Sequence, residues 1–189
     1  MTELSFEQFQ KLALRTESKV ESSEMDVPGI KMLLEMFIII GTLLDYTKKG
    51  VFYNNYTKYD ENFLDLSNKL NDLMLKYVTD GGNRSTESSI NFRIFHGLLG
   101  TITESSELAM VLLKYLETGE VDKVNVGEEF ADSDWYKAIA FDELGLEESV
   151  TRQNVIEKLR VRFPDKYSDD AAANRNLDAE REQLAKGIV

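Results

Sequence analysis

The stretch that decides the fold is "ESSINFRIFHGLLGTITESSELAMVLLKYLETGE", residues 87–120. Its apolar residues recur about every three and a half positions over the whole length, the period of a helix buried along one side and not the period of two that marks a strand. The same spacing runs through "SFEQFQKLALR" (5–15), "GIKMLLEMFIIIGTLLDYTKK" (29–49), "ENFLDLSNKLNDLMLKYV" (61–78), "DKVNVGEEFADSDWYKAIAFDELGL" (122–146) and "EESVTRQNVIEKLRVRF" (147–163). With only 2 prolines in 189 residues, the reading is an all-α protein, and short connections between long helices imply antiparallel neighbours in a bundle. Pro28 suits the first turn of its helix and Gly145 the stop of another. Gly97 and Gly100 permit either a kink or a close helix contact. "GVFYNNYTKYD" (50–60) reads as a connection, and Gly81, Gly82 and Asn83 as a helix stop. The tail "SDDAAANRNLDAEREQLAKG" (168–187) reads as a last exposed helix or a partly mobile segment.

Composition narrows the function. A length of 189 residues suits one domain, 1–189. No uninterrupted apolar run approaches the roughly 20 residues that span a bilayer, and "MTELSFEQFQ" lacks the basic and apolar pattern of an export signal. A soluble, cytoplasmic protein with no membrane partner is expected. A formal charge of −12 argues against a nucleic-acid partner, because wrapping a phosphate backbone takes basic surface. Without Cys and with a single His, a standard zinc set cannot be assembled within one chain and a Cys nucleophile is excluded. No glycine-rich phosphate cradle is present.

Oxygen ligands are abundant. On a helix, residues three apart share a face, which pairs Glu104 with Glu107 and Glu129 with Asp132. The rows continue into Met110 and Val111 after the first pair, and into Trp135, Tyr136 and Ile139 after the second, so these acids lie on or beside the inward stripe. Carboxylates facing one another there must be protonated, paired or bound to a metal. Mg²⁺, with its oxygen ligands and its taste for substrate phosphates, answers that need; Mn²⁺ is a substitute. Glu128 lies four residues before Asp132 and can reach the same face, whereas Asp134 points elsewhere. Asn154, Lys158 and Arg162 recur every four residues, a row that can hold phosphate oxygens or form a solvated helix edge. His96, eight residues before Glu104, shares its face; a lone His is more often structural than a ligand contact.

"HGLLGTITESSEL", "NVGEEFADSDWYKAIAFDELGL" and "NVIEKLRVRFPDKYS" together resemble the MazG-like all-α nucleoside triphosphate pyrophosphohydrolases, especially the short phage and bacterial forms. The family pattern E-x-x-E then E-x-x-D is matched by Glu104, Glu107, Glu129 and Asp132, and "FEQFQKLALRTES" is similar to the first helix of the short forms. The resemblance implies a MazG-like bundle with extra N-terminal helices and a catalytic core over 91–165. It also implies hydrolysis of a nucleoside triphosphate to monophosphate and pyrophosphate through a metal-activated water. The four matched carboxylates would hold Mg²⁺, Glu104 or Glu128 would act as base, and Tyr136, Asn154, Lys158 and Arg162 would contact substrate, with His96 a further candidate from its spacing to Glu104. A homodimer or homotetramer is implied too. "TESSE" replaces the family's glycine-containing G-E-x-G-E, and residues 22–90 form a helical elaboration that the short forms lack. A dUTPase-like or alarmone-hydrolysing member is the enzymatic alternative. A non-catalytic helical module that binds a nucleotide or a protein is the alternative of another class.

Overall fold

The structure, a computed structural model, describes residues 4–80 and 84–188. Among them are eight α-helices and one two-stranded sheet, so the fold is all-α. Contacts cluster in two compact units, Met1–Glu21 with Ser89–Val189, and Ser22–Ser88.

In the first unit, α1 (Phe6–Ala13) starts at a capping box in which Ser5 and Gln8 satisfy each other's backbone N–H groups. It runs into a 3-10 turn, Leu14–Thr16. The stretch quoted above forms α4 (Phe92–Thr118) without a break, begun by Asn91, whose side chain accepts from the N–H groups of Arg93 and Ile94. Gly119 ends it at φ +74°. After a short turn, Asp122 caps α5 (Lys123–Leu144), which Gly145 closes at φ +61°. Both glycines occupy the left-handed region that other residues enter at a cost. So short a link makes α4 and α5 antiparallel neighbours, and they form the most extensive helix pair of the molecule.

Three observations fix how these helices meet. A Cβ placed on Gly97 would stand 2.8 Å from Tyr136 O and 2.9 Å from Ala140 N, and one on Gly100 would enter the Tyr136 ring. The glycines therefore serve close approach, not a kink. Ala138, Ile139 and Ala140 of α5 are buried, with Ala13 of α1, and α1 lies on α5 through the edge-on ring pair Phe6–Phe141 at 6.0 Å and a Gln10 Nε2 hydrogen bond to Ala138 O of 3.2 Å. Arg93, at the start of α4, ties the layer together, reaching Glu17 after the 3-10 turn and Asp142 and Glu143 at the end of α5, each at 2.7 Å.

The remaining helices of this unit correct the reading of the tail. α6 (Glu148–Arg162) packs on α8 (Leu177–Ala185), with the short α7 (Asp169–Ala173) between them. Glu180 of α8 is 3% exposed and receives Arg162 at 2.5 Å and Arg175 at 2.6 Å. Residues 168–187 thus make two helices, the second docked by a buried ion pair.

In the second unit, α2 (Val27–Tyr53) and α3 (Thr57–Asp80) form a helical hairpin. Asp26 accepts from Gly29 N and Pro28 occupies the first turn. The expected connection at 50–60 shrinks to Asn54–Tyr56, because Asn54 takes φ +48° and Gly50 leaves space for the Tyr56 ring. Strands β1 (Ser23–Met25) and β2 (Ser85–Glu87) pair antiparallel at the ends of the hairpin. The stop expected at Gly81, Gly82 and Asn83 lies outside the described residues. By length and composition α2 is apolar enough to cross a membrane.

Candidate metal centre

Helical spacing places Glu104 and Glu107 on α4 and Glu129 and Asp132 on α5, and the glycine contact between those helices brings the two pairs face to face. Carboxylate oxygens of Glu104, Glu129 and Asp132 all lie within 4.8 Å of one another. Glu104 and Glu129 are buried, at 6% and 5% exposure, while Asp132 and Glu107 are exposed. Asn125, one turn before Glu129, donates its amide to Glu129 Oε1.

The electrostatics are those of an uncompensated cluster. Burial raises the Glu104 carboxyl, with repulsion from Glu107 next and a hydrogen bond shared with Glu129 after it. Glu107 is raised first by the charge of Glu129, and Asp132 and Glu128 add to it. Tyr136 is raised by burial and then by Glu104, Asp132 and Glu107. A proton held between two of these acids relieves part of the repulsion; a cation relieves more. Two ligands on one Mg²⁺ ion, each at about 2.1 Å, stand about 3 Å apart when adjacent and about 4.2 Å when opposite. The three oxygens stand at a spacing from which they could hold one ion. The donors are hard oxygens only, the set that suits Mg²⁺ or Mn²⁺.

Around the cluster the expected contacts divide. His96 and Tyr136 are neighbours, with ring centroids 5.4 Å apart, and Trp135 stacks edge-on with both. The indole N–H of Trp135 donates to Thr16 Oγ1 at 3.1 Å, so this aromatic group belongs to the packing of α1 against α4 and α5. Glu128 is exposed, and its charge is felt at Glu107. Asn154 and Arg162, read as a phosphate-holding row, are engaged elsewhere. Asn154 is buried and donates to Lys186 O at 2.6 Å and Leu184 O at 3.3 Å, and Arg162 is held by Glu180. Lys158 is partly exposed on the same helix, which packs on α8.

The basic complement comes instead from α4. A cavity of about 230 Å³ opens beside the acids, lined by Glu107, Met110, Lys114, Asp122, Asn125 and Glu129 among others. Lys114 is its one basic side chain. It lies seven residues after Glu107, two helical turns along the same row, a spacing legible in the sequence and not used above. No known protein family, curated protein or solved structure matches this chain.

Proposed function

We propose that the chain hydrolyses (deoxy)nucleoside triphosphates to the monophosphate and pyrophosphate with Mg²⁺, or Mn²⁺ in its place, on a MazG-like bundle. The observation that carries this reading is the convergence of Glu104, Glu129 and Asp132 from two antiparallel helices, two of them buried. A structural protein gains nothing from burying like charges with no opposite charge between them. The resemblance of these three acids, with Glu107, to E-x-x-E and E-x-x-D supports it further.

A bound divalent cation would supply charge neutralisation for the phosphates and acidify water. Glu104, Glu129 and Asp132 would hold it, with Asn125 fixing the Glu129 carboxylate. Lys114 offers three donors to a terminal phosphate in the adjoining cavity. Glu104 is taken up by the cluster, which leaves exposed Glu128 to accept the proton of the attacking water. Water oxygen bonds to phosphorus at the α–β bridge, that bridge breaks, and pyrophosphate leaves with the bridging oxygen. At about 230 Å³ the cavity falls short of the ~300 Å³ of the smallest usual ligand pockets. It is too small for a whole nucleotide, in keeping with a homodimer or homotetramer that completes the site, and its four carboxylates against Lys114 require a cation before any phosphate enters.

The test is a panel of nucleoside triphosphates with Mg²⁺, followed by phosphorus NMR. Pyrophosphate and monophosphate are expected from the wild type and neither from Glu129→Gln or Asp132→Asn. Orthophosphate with a diphosphate would refute the scissile bond. A folded wild type without turnover would favour the binding module.

A further inference from the structure

The hairpin unit presents an apolar side that the proposed chemistry does not use. On α2, Leu33, Phe37, Ile40, Leu44 and Val51 are all exposed, from 40% for Phe37 to 62% for Val51. Their spacings of four, three, four and seven residues place them on one stripe, the alternation that defines a helix-packing seam. Because the hairpin is antiparallel, the side of α3 adjoining that stripe carries exposed Phe63, Met74 and Val78. The opposite side is different. There a groove between the helices has an apolar floor of Ile38, Ile39 and Leu73 and is rimmed by Glu35, Lys69, Asp72 and Lys76. The unit is thus a two-helix layer with one apolar side and one whose groove is ringed by charge, and among its described residues only Met25, Gly29 and Gly50 are buried.

We propose that this apolar side is the interface with a second copy of the chain, two hairpins closing into a four-helix bundle. Three observations select that occupant. The eight side chains offer roughly 800 Å², about what one partner contributes to a stable interface and more than the ~300–600 Å² patch of an ordinary monomer. Residues 22–88 carry seven Lys and Arg against ten Asp and Glu, −3 of the chain's −12, so two hairpins meet with little repulsion. A seam of period three and a half suits a helix as partner. By length and composition α2 could also meet a bilayer, so a membrane surface is one of the outcomes of the test.

Light scattering on the full chain at micromolar concentration tests this. The wild type is expected at no less than twice its 21.6 kDa, and Ile40→Glu at half the wild-type mass with unchanged helical circular dichroism. The paired like charges weaken the association about 100-fold. Lys69→Glu, on the charged side, keeps the wild-type mass. Because the chain has no cysteine, Ile40→Cys supplies a second readout, giving a covalent dimer on mild oxidation where Lys69→Cys gives none. A wild type of single-chain mass overturns the proposal, as does an unchanged mass for Ile40→Glu. So does recruitment of a monomeric wild type to phosphatidylcholine vesicles, which would make the stripe a membrane surface.

Discussion

Replacing Gly97 by alanine sets two well-measured effects against each other. Within a helix, Gly→Ala stabilises by about 1 kcal/mol, because alanine loses less backbone entropy on folding. At position 97 the new Cβ would meet Tyr136 O at 2.8 Å, Ala140 Cβ at 2.8 Å and Ala140 N at 2.9 Å. Ordinary contact begins at 3.4 Å, so α4 must retreat from α5 by about half an ångström; two of the three atoms are backbone and cannot rotate away. Overpacking of this kind costs about 2 kcal/mol. The net loss of about 1 kcal/mol lowers the melting temperature by about 3 °C. Gly127, within α5, is the control, since a Cβ there meets nothing within 4 Å. Gly127→Ala should raise the melting temperature by about the same amount. Calorimetry of the two variants gives opposite signs if the glycine contact sets the helix separation. A Gly97→Ala protein as stable as Gly127→Ala would refute that reasoning. The same widening separates the carboxylates, so Gly97→Ala should also weaken Mn²⁺ binding about tenfold, the lower end of what a misplaced ligand shell costs.

Glu104→Gln removes one charge from the buried cluster and should raise the melting temperature in EDTA by a few degrees, while abolishing the further rise that Mg²⁺ gives the wild type; thermal scans with and without the cation check both. Glu104 and Glu107 are raised in the folded state from 4.5, so the folded chain holds protons that the unfolded chain has released. In EDTA these two acids should therefore make stability fall as pH rises above about 4.5 through the folded values, and Mg²⁺ should remove that fall. Glu143 and Glu180 act with the opposite sign: Asn91 and then Arg93 hold the first below its usual value, and Arg162 and then Arg175 the second. The stability they give is present above about 4.5 and lost as pH falls toward the folded values, which urea titrations between pH 2 and 8 will separate. Glu180→Ala leaves Arg162 without its acid and should free α8, seen as faster proteolysis after Lys186 with α4 and α5 still protected from hydrogen exchange.

Most of the helices were legible because their apolar periods are long and some ends carry strong local signals, such as Pro28 in a first turn and Gly145 at a stop. The acids of α4 and α5 were legible for a related reason. The spacing within each pair is local, and the neighbouring apolar residues show which way each pair faces. What fails is whatever depends on a partner distant in sequence. Asn154 and Arg162 looked like a row awaiting phosphate, but their partners, Leu184, Lys186 and Glu180, lie in a tail too polar to announce that it docks. The strands β1 and β2 contain three residues each and are separated by the entire hairpin, so neither carries a period of its own. The bearing of Lys114 on the site is not legible in sequence, because a single lysine on an exposed row gives no signal without the cavity beside it. Exposure of the α2 stripe is equally invisible in sequence, where "MLLEMFIIIGTLL" reads as a buried helix.

The proposed chemistry requires Glu104, Glu129 and Asp132 to hold a divalent ion together. Electron paramagnetic resonance of Mn²⁺ titrated into the protein without nucleotide tests that most directly, since only free Mn²⁺ gives the sharp six-line signal. The wild type should quench that signal saturably, Mg²⁺ should restore it, and Asp132→Asn with Glu129→Gln should leave it undiminished. A wild type that leaves the signal unquenched, or a double variant that quenches it as well as the wild type, would contradict the assignment.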